Sequence, residues 1–309
     1  MLSEMFNVPI AEENFVQSHT PFKMMVRELE GKTVLVTGND QEKVRGIAER
    51  YGLGARVVTP GDIWTAHPDI WPFSHLLKDY YTKHARPLPE GPLKIDAMFV
   101  FSDPHDWALD TQLFLDLLMS EKGVVGTLSS KNGDAKLPNR GWYQDGQPKL
   151  IFSNPDMFWA SSYPQSRLGQ GGFRAALQGV WDEVTDGAEL SKLVIGKPTK
   201  TTYQYAENVL SSYRHKLLSG TSPLGEEPVA PLKRVFMVGD NPESDIFGAN
   251  QFKSPRGTEW DSLLVKTGVW VDAREPKYKP KAIVEDVREA VKYGLKRQGY
   301  VYDERELLE

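Results

Sequence analysis

The sequence predicts an α/β protein with parallel sheets, in which a self-contained α/β layer precedes the strand that carries Asp240. Three observations carry that reading. Short apolar runs with β-branched members recur along the chain, at 32–37, 95–101, 149–152, 193–196 and 234–238, and such runs fit strands covered on both faces. Helical stretches separate them, which is the βα rhythm of a parallel sheet. Acidic residues stand just past several of the runs, at Asp103 and Asp106, at Asp156 and at Asp240, and in open α/β sheets the carboxyl ends of strands face the ligand crevice.

Taken in order, residues 12–30 carry a helix signal, with Thr20 as N-cap and Pro21 at the first helical position. A strand at 32–37, a turn at Gly38-Asn39-Asp40, an amphipathic helix at 41–51 and a shorter strand at 56–59 make a β-α-β opening. Residues 60–93 are rich in Pro, Trp, Tyr and His and read as an irregular excursion with one helix near 73–82. A strand at 95–101 and a helix at 111–119 follow, then a polar, hairpin-like loop at 129–149 and a strand at 149–152 ending in Ser153-Asn154-Pro155-Asp156. Arg167-Leu-Gly-Gln-Gly-Gly-Phe173 opens a helix to about Val184. Its glycines offer backbone N–H groups to an anion or simply permit close packing, and the spacing matches no nucleotide-binding fingerprint. The run at 193–196 ends in Lys197, and Thr199 caps a helix through Tyr213. After a Pro/Gly/Ser-rich loop at 219–232 come strands at 234–238 and 262–266, a turn at Gly268 and a closing helix from Ile283 to about Gln298.

Composition narrows the function. The chain has 309 residues, 40% hydrophobic and 26% charged, enough for two domains or one domain with a large insertion. A net charge of -5 and a pI near 5.8 leave no basic footprint for nucleic acid. No apolar run is long enough to cross a membrane. The absence of cysteine excludes a disulfide framework, thiolate catalysis and cysteine-held zinc, and fits a reducing compartment. The opening Met-Leu-Ser-Glu-Met-Phe is neither a signal peptide nor an Arg-rich transit peptide.

The chemistry concentrates around Asp240. Gly239 ends an apolar strand, Asp240 follows it, and Asp245 stands at the mouth of the next helix. Two convergent carboxylates repel unless a cation lies between them, and Mg²⁺, which keeps waters and a substrate phosphate as further ligands, suits them. The same residues also fit a turn in which Asp240 and Asn241 cap the helix and Asp245 is solvated. Lys197 ends another strand of the same kind, so its ammonium reaches the same sheet edge and supplies a point charge to phosphoryl oxygens.

Gly196-Lys197-Pro198-Thr199 followed by Gly239-Asp240-Asn241-Pro242-Glu243-Ser244-Asp245-Ile246 resembles the third and fourth motifs of the haloacid-dehalogenase (HAD) superfamily. More narrowly it resembles the type IIA, NagD-like hydrolases, in the eukaryotic branch named after the cat-eye-syndrome critical region. Ser153-Asn154-Pro155-Asp156 is similar to that group's cap loop. Gln17-Ser-His-Thr-Pro21 and the run from Tyr163 to Phe173 also look like that branch, so the resemblance covers the chain from residue 2 onward. It implies a Rossmann-like core with a large α/β cap, Mg²⁺ dependence, and phosphoryl transfer through an aspartyl-phosphate. Carried over, Lys197 binds phosphate, Asp240 ligates Mg²⁺, Asp245 ligates it or holds its waters, and Asn154 and Asp156 face the substrate. An Asx-Pro turn accounts for Asn154 and Asp156 equally well.

One departure matters. The family's nucleophile is the first aspartate of an Asp-x-Asp-Gly motif, and its second motif is a Thr or Ser ending the next strand; neither stands at the expected place here. The nearest substitute, Asp103-Pro-His-Asp106, has the wrong spacing and lies where the family has its cap. The expectation is therefore a remnant of core or linker at 1–14, a cap at 15–175, and the C-terminal part of an incomplete core, lacking its first strands, at 176–309. Its function would be that of a Mg²⁺-dependent phosphatase acting on a small phosphorylated metabolite, inactive as it stands for want of a nucleophile. The rival is a non-enzymatic phosphate- or metal-binding, or protein-interaction, protein derived from that fold. Residues 193–197 and 234–238 should close up against each other, or another copy of the chain should cover the open edge. The branch resemblance suggests mitochondria, with the cytoplasm as the alternative.

Overall fold

The computed structural model describes residues 2–7, 10–11, 14–73, 78–159, 161–220, 230–268, 270 and 275–301. The chain divides into two compact units, Ser18–Gly196 on one hand and Met1–Gln17 with Lys197–Glu309 on the other. The latter begins with a short helix, α1 (Leu2–Phe6).

The Ser18–Gly196 unit is built on a five-stranded sheet. Its elements are β1 (Thr33–Thr37), α2 (Gln41–Tyr51), β2 (Arg56–Val58), α3 (Pro60–Ala66), α4 (Lys78–His84), β3 (Ala97–Val100), α5 (Trp107–Met119), β4 (Lys149–Phe152), a small antiparallel pair β5 (Phe158–Trp159) and β6 (Arg167–Leu168), α6 (Gln170–Thr185) and β7 (Leu193–Val194). The sheet order is β2-β1-β3-β4-β7 and every pairing is parallel. Leu35 sits opposite Val58 and Met98, and Met98 opposite Leu150. Because side chains alternate across a strand, this row and Val100 and Phe152 pack on one face with Ile63, Phe114, Phe173 and Trp181. Val34, Val36, Phe99 and Ile151 pack on the other with Phe22, Val44 and Ala48. Burial on both faces is why these strands read as unbroken apolar runs.

Local chemistry fixes the helix ends. The Asp40 side chain accepts from the Lys43 N–H at 3.0 Å and starts α2. Gly52, at φ 76°, ends it in the left-handed region that favours glycine. Several expectations are corrected. Residues 20–25 form a 3-10 turn with His19 at the N-cap, not an α-helix capped by Thr20, because Phe22 packs edge-on against Phe99 and Phe101 at 4.8 and 4.9 Å; Glu12 and Glu13 lie outside the described residues. Residues 60–66 are helical: Thr59 and Asp62 form a capping box with Pro60 at the first helical position. The helix expected at 73–82 is described over Lys78–His84, residues 74–77 lying outside. The loop before β4 is not a hairpin; it carries a turn at Pro138–Gly141 in which Asn139 and Arg140 take left-handed backbone at φ 50° and 52°, tied to the end of α6 by Arg140 donating to Asp186 Oδ2 at 2.8 Å.

The unit also runs to Gly196, past the expected boundary at 175. Phe173, Leu177 and Trp181 of α6 belong to the same core as Phe114 and Phe152, and β7 extends the sheet through Ile151↔Leu193 and Phe152↔Val194.

The other unit carries α7 (Lys200–Ser219), β8 (Arg234–Gly239), a π-helical turn (Pro242–Ile246), α8 (Phe247–Gln251), β9 (Glu259–Val265), β10 (Ala282–Val284) and α9 (Val287–Arg297). Its sheet is β10-β9-β8, all parallel. The closing helix expected from Ile283 begins instead at Val287, where Asp286 accepts from the Glu289 N–H at 2.9 Å. Ala282–Val284 pairs with Leu263–Val265 as a strand, which suits β-branched Ile283 and Val284. Among the described residues β8 pairs only with β9. Among the described residues the expected pairing of 193–197 with 234–238 is absent: β7 joins the five-stranded sheet beside β4, and β8 pairs with β9. Among the described residues no helix is long and apolar enough to cross a membrane.

Candidate functional site

The site grows from the end of β8. Asn241 follows Asp240 and caps the next turn, its Oδ1 accepting from the Glu243 N–H at 2.9 Å and the Ser244 N–H at 3.3 Å, with Pro242 at the first position. The turn is π-helical, a form that concentrates at functional sites: the N–H groups of Asp245 and Ile246 both donate to the Asn241 carbonyl, at 2.9 and 3.4 Å. The wide turn folds Asp245 back onto the strand end, where it is 2% exposed.

Asp245 is therefore not solvated. Its Oδ1 accepts from Lys197 Nζ at 2.5 Å and its Oδ2 from the Asn241 N–H at 3.2 Å. Gly239 has no side chain because Asp245 fills that space: a Cβ there would lie 2.2 Å from Asp245 Oδ2. Gly268 does the same for Asp240. At φ +149° its hypothetical Cβ would lie 2.1 Å from Asp240 Oδ2, and the Trp270 N–H donates to the Asp240 carbonyl at 3.2 Å. Lys197 thus meets Asp245 near the end of β8, which Asp240 follows; the expected shared sheet edge does not account for this, because the run before Lys197 belongs to the five-stranded sheet and β8 to another.

Residues that sequence reasoning did not single out hold this arrangement. The buried Tyr203 of α7 places its hydroxyl 3.1 Å from the Ser244 carbonyl and 3.0 Å from the Asp245 carbonyl, pinning the π-helical turn. Gly248 makes room for it, since a Cβ there would lie 2.3 Å from the hydroxyl. Burial pushes the Tyr203 phenol well above its usual range, with the Asp245 charge adding to the effect, so it stays a donor. Glu207, one turn on and 1% exposed, accepts from Ser254 Oγ at 2.8 Å and lies 3.2 Å from Thr258 Oγ1 and Trp260 Nε1. It ties α7 to the strand beside β8. The one available signal was the helical spacing of Tyr203 and Glu207, four apart on the helix begun at Thr199.

The donors at this site are hard oxygens, which suit a divalent cation that keeps waters. Asp240 and Asp245 would hold it; among the described residues no group of three or more His, Cys, Asp or Glu is arranged to hold a metal unaided.

Asn154 and Asp156 belong to the Ser18–Gly196 unit. Asn154 Oδ1 accepts from the Asp156 N–H at 2.8 Å, the Asx-Pro turn that sequence left open, and the Asn154 N–H donates to Gln170 Oε1 at 2.9 Å. Asp156 is exposed. The glycine-rich start of α6 serves close packing on this loop: the Gly171 N–H donates to the Asp156 carbonyl at 2.8 Å, and a Cβ at Gly171 would lie 2.6 Å from the Pro155 carbonyl oxygen. Asp103 stands beside them, its carboxyl raised above the usual range by burial and by the Asp156 charge.

A HAD-hydrolase-like family model matches residues 194–290. The chain is 38% identical over 308 residues to the mitochondrial hydrolase YKR070W of Saccharomyces cerevisiae, covering 96% of this chain and 81% of that protein. It is 37% identical over 296 residues to a cardiolipin synthase (CMP-forming) / mitochondrial hydrolase fusion protein of Schizosaccharomyces pombe, covering 96% of this chain and 44% of that protein. Among solved structures, the hypothetical protein PH1952 of Pyrococcus horikoshii OT3 shares the fold with a TM-score of 0.53 at 18% identity, over 94% of this chain and 79% of that one. The glycerol phosphate phosphatase Rv1692 of Mycobacterium tuberculosis, in complex with calcium, does so with a TM-score of 0.51 at 19% identity, over 93% and 59%. With these matches joined to the motifs at Lys197 and at Gly239–Ile246, the chain belongs to the haloacid-dehalogenase superfamily of hydrolases.

Proposed function

We propose that these 309 residues supply the phosphate- and metal-binding part of a phosphoric monoester hydrolase site. The observation that carries this is the cluster at the end of β8, in which a lysine meets a buried carboxylate at 2.5 Å and two glycines are given over to the two aspartates. Lys197, half exposed beside Asp245, directs its remaining N–H donors at phosphoryl oxygens. Asp240 and Asp245 hold Mg²⁺. When bound, that ion neutralises charge on the phosphoryl group and orients it. The π-helical turn, Asn241 and Tyr203 keep Asp245 in place while the charges change. Asn154 and Asp156 take the role of substrate recognition, and the substrate is a small phosphorylated metabolite, in keeping with a neighbour whose title names a glycerol phosphate phosphatase. The names of the two yeast relatives favour a mitochondrial location. The side of β8 away from β9, which among the described residues pairs with no strand, is the place for a second copy of the chain.

No two aspartates in these 309 residues have the Asp-x-Asp spacing, so the aspartyl-phosphate route has no nucleophile among them. Positioned electrostatics alone leave water to attack unaided. The reading is binding of phosphate and metal with little or no turnover by these residues themselves. The test is hydrolysis of p-nitrophenyl phosphate in the presence of Mg²⁺. The expected result is a rate far below the ~1–10³ s⁻¹ usual for enzymes. Turnover in that range, abolished by Asp240→Asn, would show a nucleophile that this account has overlooked.

A further inference from the structure

Helix α7 turns polar residues inward. Its buried residues are Tyr203, Glu207 and Ser211, four apart along one stripe, while Leu210, Leu217 and Leu218 stand exposed. A helix of a globular protein ordinarily buries its apolar stripe, and a buried carboxylate is costly unless it is hydrogen-bonded. Apolar replacement of buried ionic groups is often neutral or stabilising. Stability therefore gives little reason to keep a carboxylate at this position, and what such a group can supply is a defined placement of the helix.

The partners of Glu207 bear this out. Both oxygens are engaged, Oε1 by Ser254 Oγ at 2.8 Å and Thr258 Oγ1 at 3.2 Å, Oε2 by Trp260 Nε1 at 3.2 Å. Hydrogen bonds are directional, so three donors from one short segment locate the second turn of α7 more narrowly than apolar contact would. One turn back, Tyr203 stacks on Phe252 at 5.8 Å and meets Trp260 edge-on at 5.3 Å, and its hydroxyl reaches the Ser244 and Asp245 carbonyls. Trp260 thus touches both Tyr203 and Glu207, and it lies opposite Val235 of β8 in the sheet.

We propose that Glu207 is a positioning residue for the phosphate and metal site: by fixing α7 against 254–260 it sets the reach of Tyr203 to the turn that carries Asp245. The inference rests on the function proposed above. Glu207, 1% exposed, acts through Tyr203 and touches neither phosphate nor metal.

Calorimetric titration of Mg²⁺ into wild type, Glu207→Ala, Tyr203→Phe and the double variant tests this, with thermal melts alongside. Glu207→Ala should weaken Mg²⁺ binding by the folded protein about tenfold. In the Tyr203→Phe background the same change should weaken it by less than about threefold, because the link it acts through is already cut. A residue that only stabilised the fold would lower the melting temperature in both backgrounds and leave the affinity of the folded protein unchanged. Hydrogen exchange gives a readout without metal. The amides of Asp245 and Ile246, which donate to the Asn241 carbonyl, should exchange about tenfold faster in Glu207→Ala, with a smaller change at 263–265. Should Glu207→Ala fail to fold, Glu207→Gln carries the test: it keeps an oxygen for Ser254 and Thr258 but sets an amide donor against the Trp260 N–H, and should weaken Mg²⁺ about threefold. Unchanged Mg²⁺ affinity in the folded variant, equal losses in the two backgrounds, or wild-type protection at 245–246 overturns the proposal. Asp240→Asn separates it from the reading beneath it. If that variant weakens Mg²⁺ and the Glu207 variants do not, the positioning role fails alone; if Asp240→Asn changes nothing, the metal reading fails, and exchange at 245–246 still decides whether Glu207 holds the turn.

Discussion

Replacing Lys197 with methionine removes the ammonium that meets Asp245 at 2.5 Å and keeps an apolar stem of similar length. The Asp245 side chain is 3% exposed. Among the described residues, the donor left to its carboxylate is then the Asn241 N–H at 3.2 Å. Breaking a fully buried ion pair from one side costs ~3–5 kcal/mol. Lys197 is 48% exposed, so water already screens that side, and the figure falls to about 1–2 kcal/mol. Both residues belong to the unit that contains β8 and β9, so the loss should be read there. Native-state hydrogen exchange of amides at 234–239 and 259–265 should quicken by about five- to thirtyfold, while amides at 149–152, in the other unit, keep their protection. A Lys197→Met/Asp245→Asn double variant should recover much of the loss, because it leaves no unpaired buried charge. Unchanged protection at 234–239 in Lys197→Met would refute the claim that this pair holds the strand end.

Two further outcomes follow from the geometry. Gly268→Ala places a Cβ 2.1 Å from Asp240 Oδ2 at φ +149°; it should displace Asp240, lower stability by about 1–3 kcal/mol and weaken Mg²⁺ binding, and a melt and affinity equal to wild type would count against the placement of Asp240. Burial raises the Asp110 carboxyl from 3.8 to about 7, so the stability of its neutral form is fully present below pH 3.8 and is lost as pH rises through about 7. The loss is on the order of 4 kcal/mol at 1.36 kcal/mol per tenfold change. His19, lowered to about 4 chiefly by burial, acts in the opposite sense, its contribution being lost as pH falls from 6.5 through 4. Melting of wild type and Asp110→Asn from pH 4 to 8 should show a steeper fall toward high pH in wild type, and parallel curves would exclude a buried titrating Asp110.

The sheet strands were legible because burial on both faces writes itself as unbroken apolar runs: 149–152 is a strand as read, and 33–37 and 97–100 fall within their expected ranges. Capped helices with clear periodicity, such as 41–51, were equally plain. Asp240 was legible as a residue just past the strand at 234–239, but Lys197 does not share its sheet edge, since β7 and β8 belong to different sheets; the contact of Lys197 with Asp245 has another origin. Other features depended on tertiary contacts that no local pattern encodes. Tyr203 reaches the turn at Ser244 and Asp245 from another helix, and β7 belongs with β4 through a pairing between segments far apart in sequence. The short helix at 60–66 is a different case: its Thr59–Asp62 capping box and Pro60 were present in the sequence, obscured by the aromatic and proline-rich surroundings. At 283 the helical spacing of the following residues masked a three-residue strand that only its parallel partner reveals.

The most direct test of the central claim is calorimetric titration of Mg²⁺ into the chain with inorganic phosphate present, repeated with Asp240→Asn. The account predicts one saturable Mg²⁺ site that phosphate strengthens and that Asp240→Asn weakens by about tenfold or more. Equal Mg²⁺ affinity in wild type and variant would contradict it.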